Sequence, residues 1–232
     1  MKETEDLKQD KFNHRLFSES VKATKYRLFI GGFNSIDHEL DEIVNKLSKA
    51  TPEDIIEVQI ASPGGYTMDL MKIENVLRTY FYGRVKTILN PCGYSCGAML
   101  FLCGDERIIY ENSDIMFHNI STGTMGKLND IELEITHNKK FFENYMSRSL
   151  SPFFSREEIR GLMEGKDFWM DALEMCERGI CTGISVFGQI MEPGLYVKYR
   201  KDKKIRKELI SKLKDAKDYL CLRDFEYLKY NK

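Results

Sequence analysis

The sequence predicts an α/β protein built on a largely parallel sheet, and three observations carry that expectation. Short β-branched runs alternate with segments whose apolar residues repeat at helical spacing, the pattern of strands joined by helical crossovers. The stretch "SCGAMLFLC" has no polar face, so its helix belongs in the middle of the molecule. Glycine pairs and "PGG" stand where strand-like runs stop, as at tight strand-to-helix turns.

Order begins at "YRLFIGG", a strand ending in two glycines. In "SIDHELDEIVNKLSKA", Ser35 can cap a helix along which Ile36, Leu40, Ile43, Val44 and Leu47 repeat. "DIIEVQIAS" alternates and reads as a strand; "YTMDLMKIENVLRTYFY" returns to helical spacing through Leu70, Ile73, Val76, Leu77 and Tyr80. "RVKTILN" is a strand, "SCGAMLFLC" the buried helix, and "ERIIY" and "DIMFHNI" short strands. A long helix runs from Leu128 to about Leu150, stopped by Pro152. "SREEIRGLM" and "DALEMCERG" are helices with Ser155 and Asp171 as N-caps and acids in the first turn. "ISVFGQI" reads as a last strand, and the tail from Lys198 to Asp218 as one lysine-rich amphipathic helix.

The chain divides into a flexible charged arm (1–25), a folded domain (26–197) and a basic, helical extension (198–232). Its 232 residues are enough for a substantial core, and a net charge of −1 gives no global argument for nucleic acid. No apolar run approaches the ~20 residues of a membrane span, and the first twenty lack the apolar segment of a secretory signal, so the expected location is the cytoplasm. The six cysteines read as reduced, mostly buried thiols; "CGYSC" has no second pair to complete a zinc site.

Three constellations can carry chemistry. "GYSCG" matches G-x-S-x-G, with Ser95 between a strand and an apolar helix, although serine is also an ordinary N-cap. Of the four histidines, His118 stands out, closing the strand "DIMFH" where catalytic groups gather at the carboxyl ends of parallel strands. The plain alternative is a satisfied, half-buried histidine. "ASPGG" exposes unhindered N–H groups at Gly64 and Gly65, suited to an oxyanion hole, or is simply a turn. An α/β-hydrolase is excluded, because too little chain separates Ser95 from His118 and His137 to hold its intervening elements.

Taken in order, the SPGG at a strand end, the serine followed by x-G-A, "NSDIMFH" and a following "DIE" on a long helix resemble the ClpP-like serine peptidases of the Clp protease family over roughly residues 26–185. The resemblance implies a crotonase-type fold of repeated β-β-α units, with the long helix as a handle by which rings meet. It implies Ser95 as nucleophile, His118 as base and, counting back about a dozen residues from Gly179, Asp167 of "GKDFWM" as acid. Asp167 is not singled out by spacing; Asp171 is its neighbour and rival. The N–H groups of Gly65 and Cys96 become the oxyanion donors.

The implied activity is endopeptidase cleavage of peptides or unfolded proteins inside a homo-oligomeric chamber, most simply rings of seven stacked in pairs. No metal or organic cofactor is called for. An AAA+ unfoldase is the implied partner, since no G-x-x-x-x-G-K-[ST] occurs in these residues. Neither a membrane nor nucleic acid is expected as a partner. A catalytically inactive scaffold subunit and an acyl-CoA enzyme of the same fold are the alternatives. Three features depart from the family pattern: Tyr94 before the serine, Ile120 in place of a proline, and the charged termini. For the basic tail, packing on its own subunit is favoured over docking to an acidic partner or nucleic acid.

Overall fold

The computed structural model describes residues 22–34 and 39–215. The proposed arm lies almost wholly outside them, as do the Ser35 cap and the end of the tail. Among the described residues, the expected alternation forms: β1 (Lys25–Ile30), α1 (Glu39–Leu47), β2 (Ile55–Ser62), α2 (Thr67–Tyr80), β3 (Val85–Tyr94), α3 (Cys96–Phe101), β4 (Glu106–Tyr110) and β5 (Asp114–Phe117). The second half adds α4 (Leu128–Leu150), α5 (Arg156–Met163), β6 (Phe168–Asp171), α6 (Ala172–Glu177), β7 (Gly183–Val186), β8 (Gln189–Met191), α7 (Pro193–Lys201) and α8 (Lys203–Asp215).

The sheet runs β1-β2-β3-β4-β7-β8, with β1, β2, β3, β4 and β7 mutually parallel. In β2 every second residue is buried (Ile56, Val58, Ile60), whereas in β3 Thr87, Ile88 and Leu89 are buried in succession, as the centre of the sheet requires. All six residues of α3 are buried, as its lack of a polar face requires, and α3 packs on β2, β3 and α2. The apolar stripe of α2, Leu70, Ile73, Val76 and Leu77, turns into the same core.

The strand β3 runs further than "RVKTILN" suggests. Lys86–Leu89 pair with β4, whereas Cys92–Tyr94 pair with β5. Pro91 lies at the change of partner, where a residue without an N–H costs the ladder least. In turn, β5 carries β6 antiparallel on its other edge, a strand the sequence reading does not contain. "ISVFGQI" is a hairpin rather than one strand: β7 and β8 are joined at Phe187 and Gly188, both with positive φ (51° and 77°). The tail is two helices, because Asp202 accepts the N–H of Lys204 (2.7 Å) and starts α8 afresh. The boundary drawn after residue 197 falls within α7, whose Tyr196 and Tyr199 are buried.

The long helix α4 stands apart. Only Tyr145, Met146 and Leu150 near its end are buried, while Leu128 (85%), Leu133 (70%) and Ile135 (50%) face out. The next helix, α5, is fixed by a capping box: Glu158 N–H donates to Ser155 Oγ (3.2 Å) and Ser155 N–H to Glu158 Oε2 (2.9 Å). Arg178 beyond α6 also donates to Glu158 (2.9 Å). The Ser155 N–H, and after it Arg178, holds this carboxylate below the ordinary glutamate range against a burial penalty. The folded chain therefore binds fewer protons here than the unfolded one. The contribution is complete above the unfolded-state value and is lost as pH falls through the folded-state value. Glu158→Gln should lower the urea midpoint at neutral pH, and that loss should shrink as pH falls through the acid range; a loss that is the same at every pH would refute this.

Candidate active site

The site grows from one elbow. β3 delivers Ser95 with φ 55° and ψ −118°, a strained conformation for a residue with a Cβ, and α3 begins at the next residue. Ser95 sits at the N-cap position, yet its hydroxyl makes no capping hydrogen bond. Its N–H donates to Met116 O (2.9 Å), carrying the β3–β5 ladder one step beyond Tyr94.

The two glycines of "GYSCG" have a steric cause. A Cβ on Gly93 would lie 2.7 Å from Leu89 Cδ1 and 3.2 Å from Gly97 O, and one on Gly97 would lie 3.0 Å from Ser62 Cβ. They serve the packing of the elbow on its own neighbours. The turn after β2 is held just as closely. Gly64 (φ +107°) would place a Cβ 2.7 Å from Ser95 Cβ, and Gly65 (φ +139°) one 2.1 Å from Phe33 O.

Gly65 forms a parallel bridge with Phe33 in which Phe33 N–H donates to Gly64 O (3.0 Å) and Tyr66 N–H to Phe33 O (2.8 Å). The N–H of Gly65 takes no part in that bridge. The N–H of Cys96, first in α3, has no acceptor within its helix. The Cys96 thiol donates to Gly65 O (3.2 Å) and so ties these two residues together. Burial pushes that thiol up to about 11, so it is a donor rather than a thiolate at neutral pH.

His118 follows β5 directly and lines one pocket with Ser95 and Cys96. The pocket walls are mostly apolar, among them Leu70, Met99, Phe117, Phe142 and Met146. The loop beyond is pinned by Asn119, whose Nδ2 donates to Met163 O (2.9 Å) and whose Oδ1 accepts from Ile120 N–H (2.8 Å). Tyr145 also lines the pocket; its hydroxyl is buried with no hydrogen-bond partner among the described residues, and burial raises its pKa.

The register of β5 and β6 bears on the acid. Phe117 pairs with Phe168, Met116 with Trp169 and Asp114 with Asp171. Continued one step, the antiparallel ladder sets His118 beside Asp167. Side chains alternate along strands: Phe117, Phe168, Ile115 and Met170 are buried, and Trp169 and Asp171 are exposed. His118 and Asp167 extend the open face. Asp171 stands at the far end of the ladder and is occupied, its Oδ1 accepting the N–H of Glu174 (2.9 Å) as the cap of α6. No hydrogen bond joins Ser95 to His118, or His118 to Asp167, among the described residues.

Tyr94 lies on the same open face. Its hydroxyl donates to Asp114 (3.1 Å), its ring packs on Trp169 with centroids 5.2 Å apart, and burial followed by Asp114 pushes its pKa to about 12. Asn119, Tyr145, Trp169 and the Cys96–Gly65 link are not singled out by the sequence. Only the apolar content around Trp169 and Tyr145 hints at them.

Comparison with known proteins adds three findings. The family model described as Clp protease matches residues 22–186. Over 188 residues the chain is 26% identical to ATP-dependent Clp protease proteolytic subunit 3 of Streptomyces avermitilis, covering 75% of this chain and 78% of that one. Over 90 residues it is 33% identical to an ATP-dependent Clp protease proteolytic subunit of Deinococcus radiodurans, covering 38% and 44% respectively.

Steric dependence of the elbow predicts a contrast between glycines. Gly65→Ala combines positive φ with a backbone clash, so its urea midpoint should fall markedly, the positive φ alone costing about 1–2 kcal/mol. Gly31→Ala, which meets nothing within 4 Å, should leave the midpoint nearly unchanged. Equal midpoints for the two variants would show that the approach to Phe33 is not constraining.

Proposed function

Because the chain belongs to the Clp protease family, we propose that it is a serine endopeptidase whose triad is Ser95, His118 and Asp167. The observation that carries the reading is the strained Ser95 elbow sharing a pocket with His118, at the end of a ladder whose next step is Asp167. Ser95 Oγ attacks the substrate carbonyl while His118 takes its proton and later hands it to the leaving amine. Asp167 holds the imidazole in the tautomer that receives this proton and stabilises its charged form. The N–H groups of Gly65 and Cys96 receive the oxyanion, and the Cys96 thiol on Gly65 O holds the two peptides at a fixed separation.

The substrate is a peptide or unfolded protein segment, and the chemistry needs no cofactor. The chamber is a ring of seven subunits stacked in pairs. Support comes from the apolar side chains of α4, including Leu128, Leu133, Ile135 and Phe141 (45% exposed), which one chain leaves to solvent. The relatives' names include ATP dependence. With no phosphate-binding motif in these residues, an AAA+ unfoldase would be a separate subunit.

Fluorophosphonate should add one label per chain, on Ser95, and Ser95→Ala should abolish both labelling and peptide cleavage while the assembly persists. An alanine variant that cleaves at near wild-type rate would sink the mechanism. Asp167→Asn should lower kcat by about 10⁴. Asp171→Ala should instead cost about 1 kcal/mol of stability with turnover kept; the opposite pattern would exchange the two residues' roles. Sedimentation at micromolar concentration should show a species of many subunits, and a sharp monomer would remove the chamber.

A further inference from the structure

Away from the site, two buried thiols meet. Cys176 lies near the end of α6, and Cys181 lies just before β7. Their Sγ atoms are 3.4 Å apart, and the residues are 6% and 3% exposed. The cause is the way α6 ends. Gly179 has φ +69°; its N–H bonds Cys176 O (3.3 Å), and Ile180 N–H bonds Met175 O (3.0 Å). That pair of bonds is a Schellman motif, which folds the chain back over the last turn. Met175 and Ile180, both fully buried, seal it from the apolar side. The fold-back brings position 181 over position 176.

A cation stands close by. Arg107 donates from Nε to Ile180 O (2.6 Å) and from Nη1 to Gly104 O (2.8 Å), so its guanidinium is fixed beside the turn. The Cys176 S–H, and then Arg107, pull the Cys181 thiol below the ordinary range, while the same contact and burial push Cys176 up. Either sulfur can donate in this contact, and Arg107 is held against the same turn. Cys96 and Cys103 lie outside this arrangement, and burial raises both.

We infer that Cys176 and Cys181 form a reversible dithiol–disulfide couple, oxidised by a peroxide small enough to enter the packed turn. Once deprotonated, Cys181 attacks one peroxide oxygen; the O–O bond breaks and hydroxide leaves, giving a sulfenic acid. The Cys176 sulfur then attacks Cys181 Sγ, the S–S bond forms and the S–OH bond breaks. Hydroxide takes up the thiol proton, so two thiols and one peroxide become one disulfide and two waters. The 3.4 Å contact has to close to the ~2.0 Å of a disulfide. The product would staple the end of α6 to the start of β7. A thiol or phosphine reductant reverses it.

Arg178 lies between the two cysteines, so trypsin separates them and exposes the link. Full-length assembled protein is treated with hydrogen peroxide, its remaining thiols are alkylated under denaturing conditions, and it is digested and mapped by mass spectrometry. Peptides 167–178 and 179–198 should appear joined, ~2 Da below their summed mass, and should part on phosphine treatment. Cys176→Ser should abolish the joined species and leave Cys181 as sulfenic or sulfinic acid. Both thiols recovered alkylated from peroxide-treated wild type would overturn the inference. So would Cys181 driven to sulfinic acid without a link, or either cysteine joined to another position. The wild-type map decides without any variant, so a poorly folding substitution cannot mask the answer.

Discussion

The site depends on one steric constraint: the turn after β2 must touch the elbow after β3. Gly64 lies where any Cβ would strike Ser95, and Gly97 lies where any Cβ would press on Ser62. The approach runs both ways, so the two turns hold each other's conformation. Positive φ at Ser95 costs of order 1–3 kcal/mol and persists only where neighbours over-determine it. Here they do. The Ser95 N–H is held by Met116, the turn of Gly64 blocks one side, and the wholly buried α3 anchors the residues that follow. The elbow is strained because the core behind it is not.

A second layer of order comes from the split partnership of β3. Its first half continues the main path of the sheet with β4, and its second half starts a branch with β5 and β6. The change at Pro91 lets one strand belong to the core and also to the ladder that carries His118. The open face of that ladder is lined by Tyr94, Met116 and Trp169, so the bulky residue before the serine has a place. Its ring lies on Trp169 and its hydroxyl is tethered to Asp114. The departure from the family pattern at Tyr94 is accommodated away from the apolar pocket that Ser95 shares with His118.

The elements that were legible are those whose pattern repeats often enough to be read. α2 shows its stripe over four turns, and α3 declares its burial by lacking any polar residue. β6 has four residues wedged between a lysine-aspartate pair and a helix cap, too few for alternation to stand out. The β7–β8 turn uses Phe187 at positive φ, where composition announces no hairpin. Asp202 was hidden in a run of lysines whose helical spacing continues through it. In the site, Ser95 and His118 could be picked from local context, because each ends a strand. Asp167 could not, because where it stands relative to His118 depends on the register between strands distant in sequence. The Cys96–Gly65 link was equally invisible, being a contact of a side chain with a backbone carbonyl in another element.

The ladder between β5 and β6 also dictates when the molecule is complete. All of α4 and α5 lies between Phe117 and Phe168, so this pairing closes a long loop and is among the contacts of high sequence separation. On the ribosome the amino-terminal part emerges first. A nascent chain that has made Ser95 and His118 still lacks the strand that would flank them, and with it Asp167. Every shorter product of interrupted synthesis shares that gap. The topology thus delays the ladder that flanks Ser95 and His118 until most of the described domain has been made.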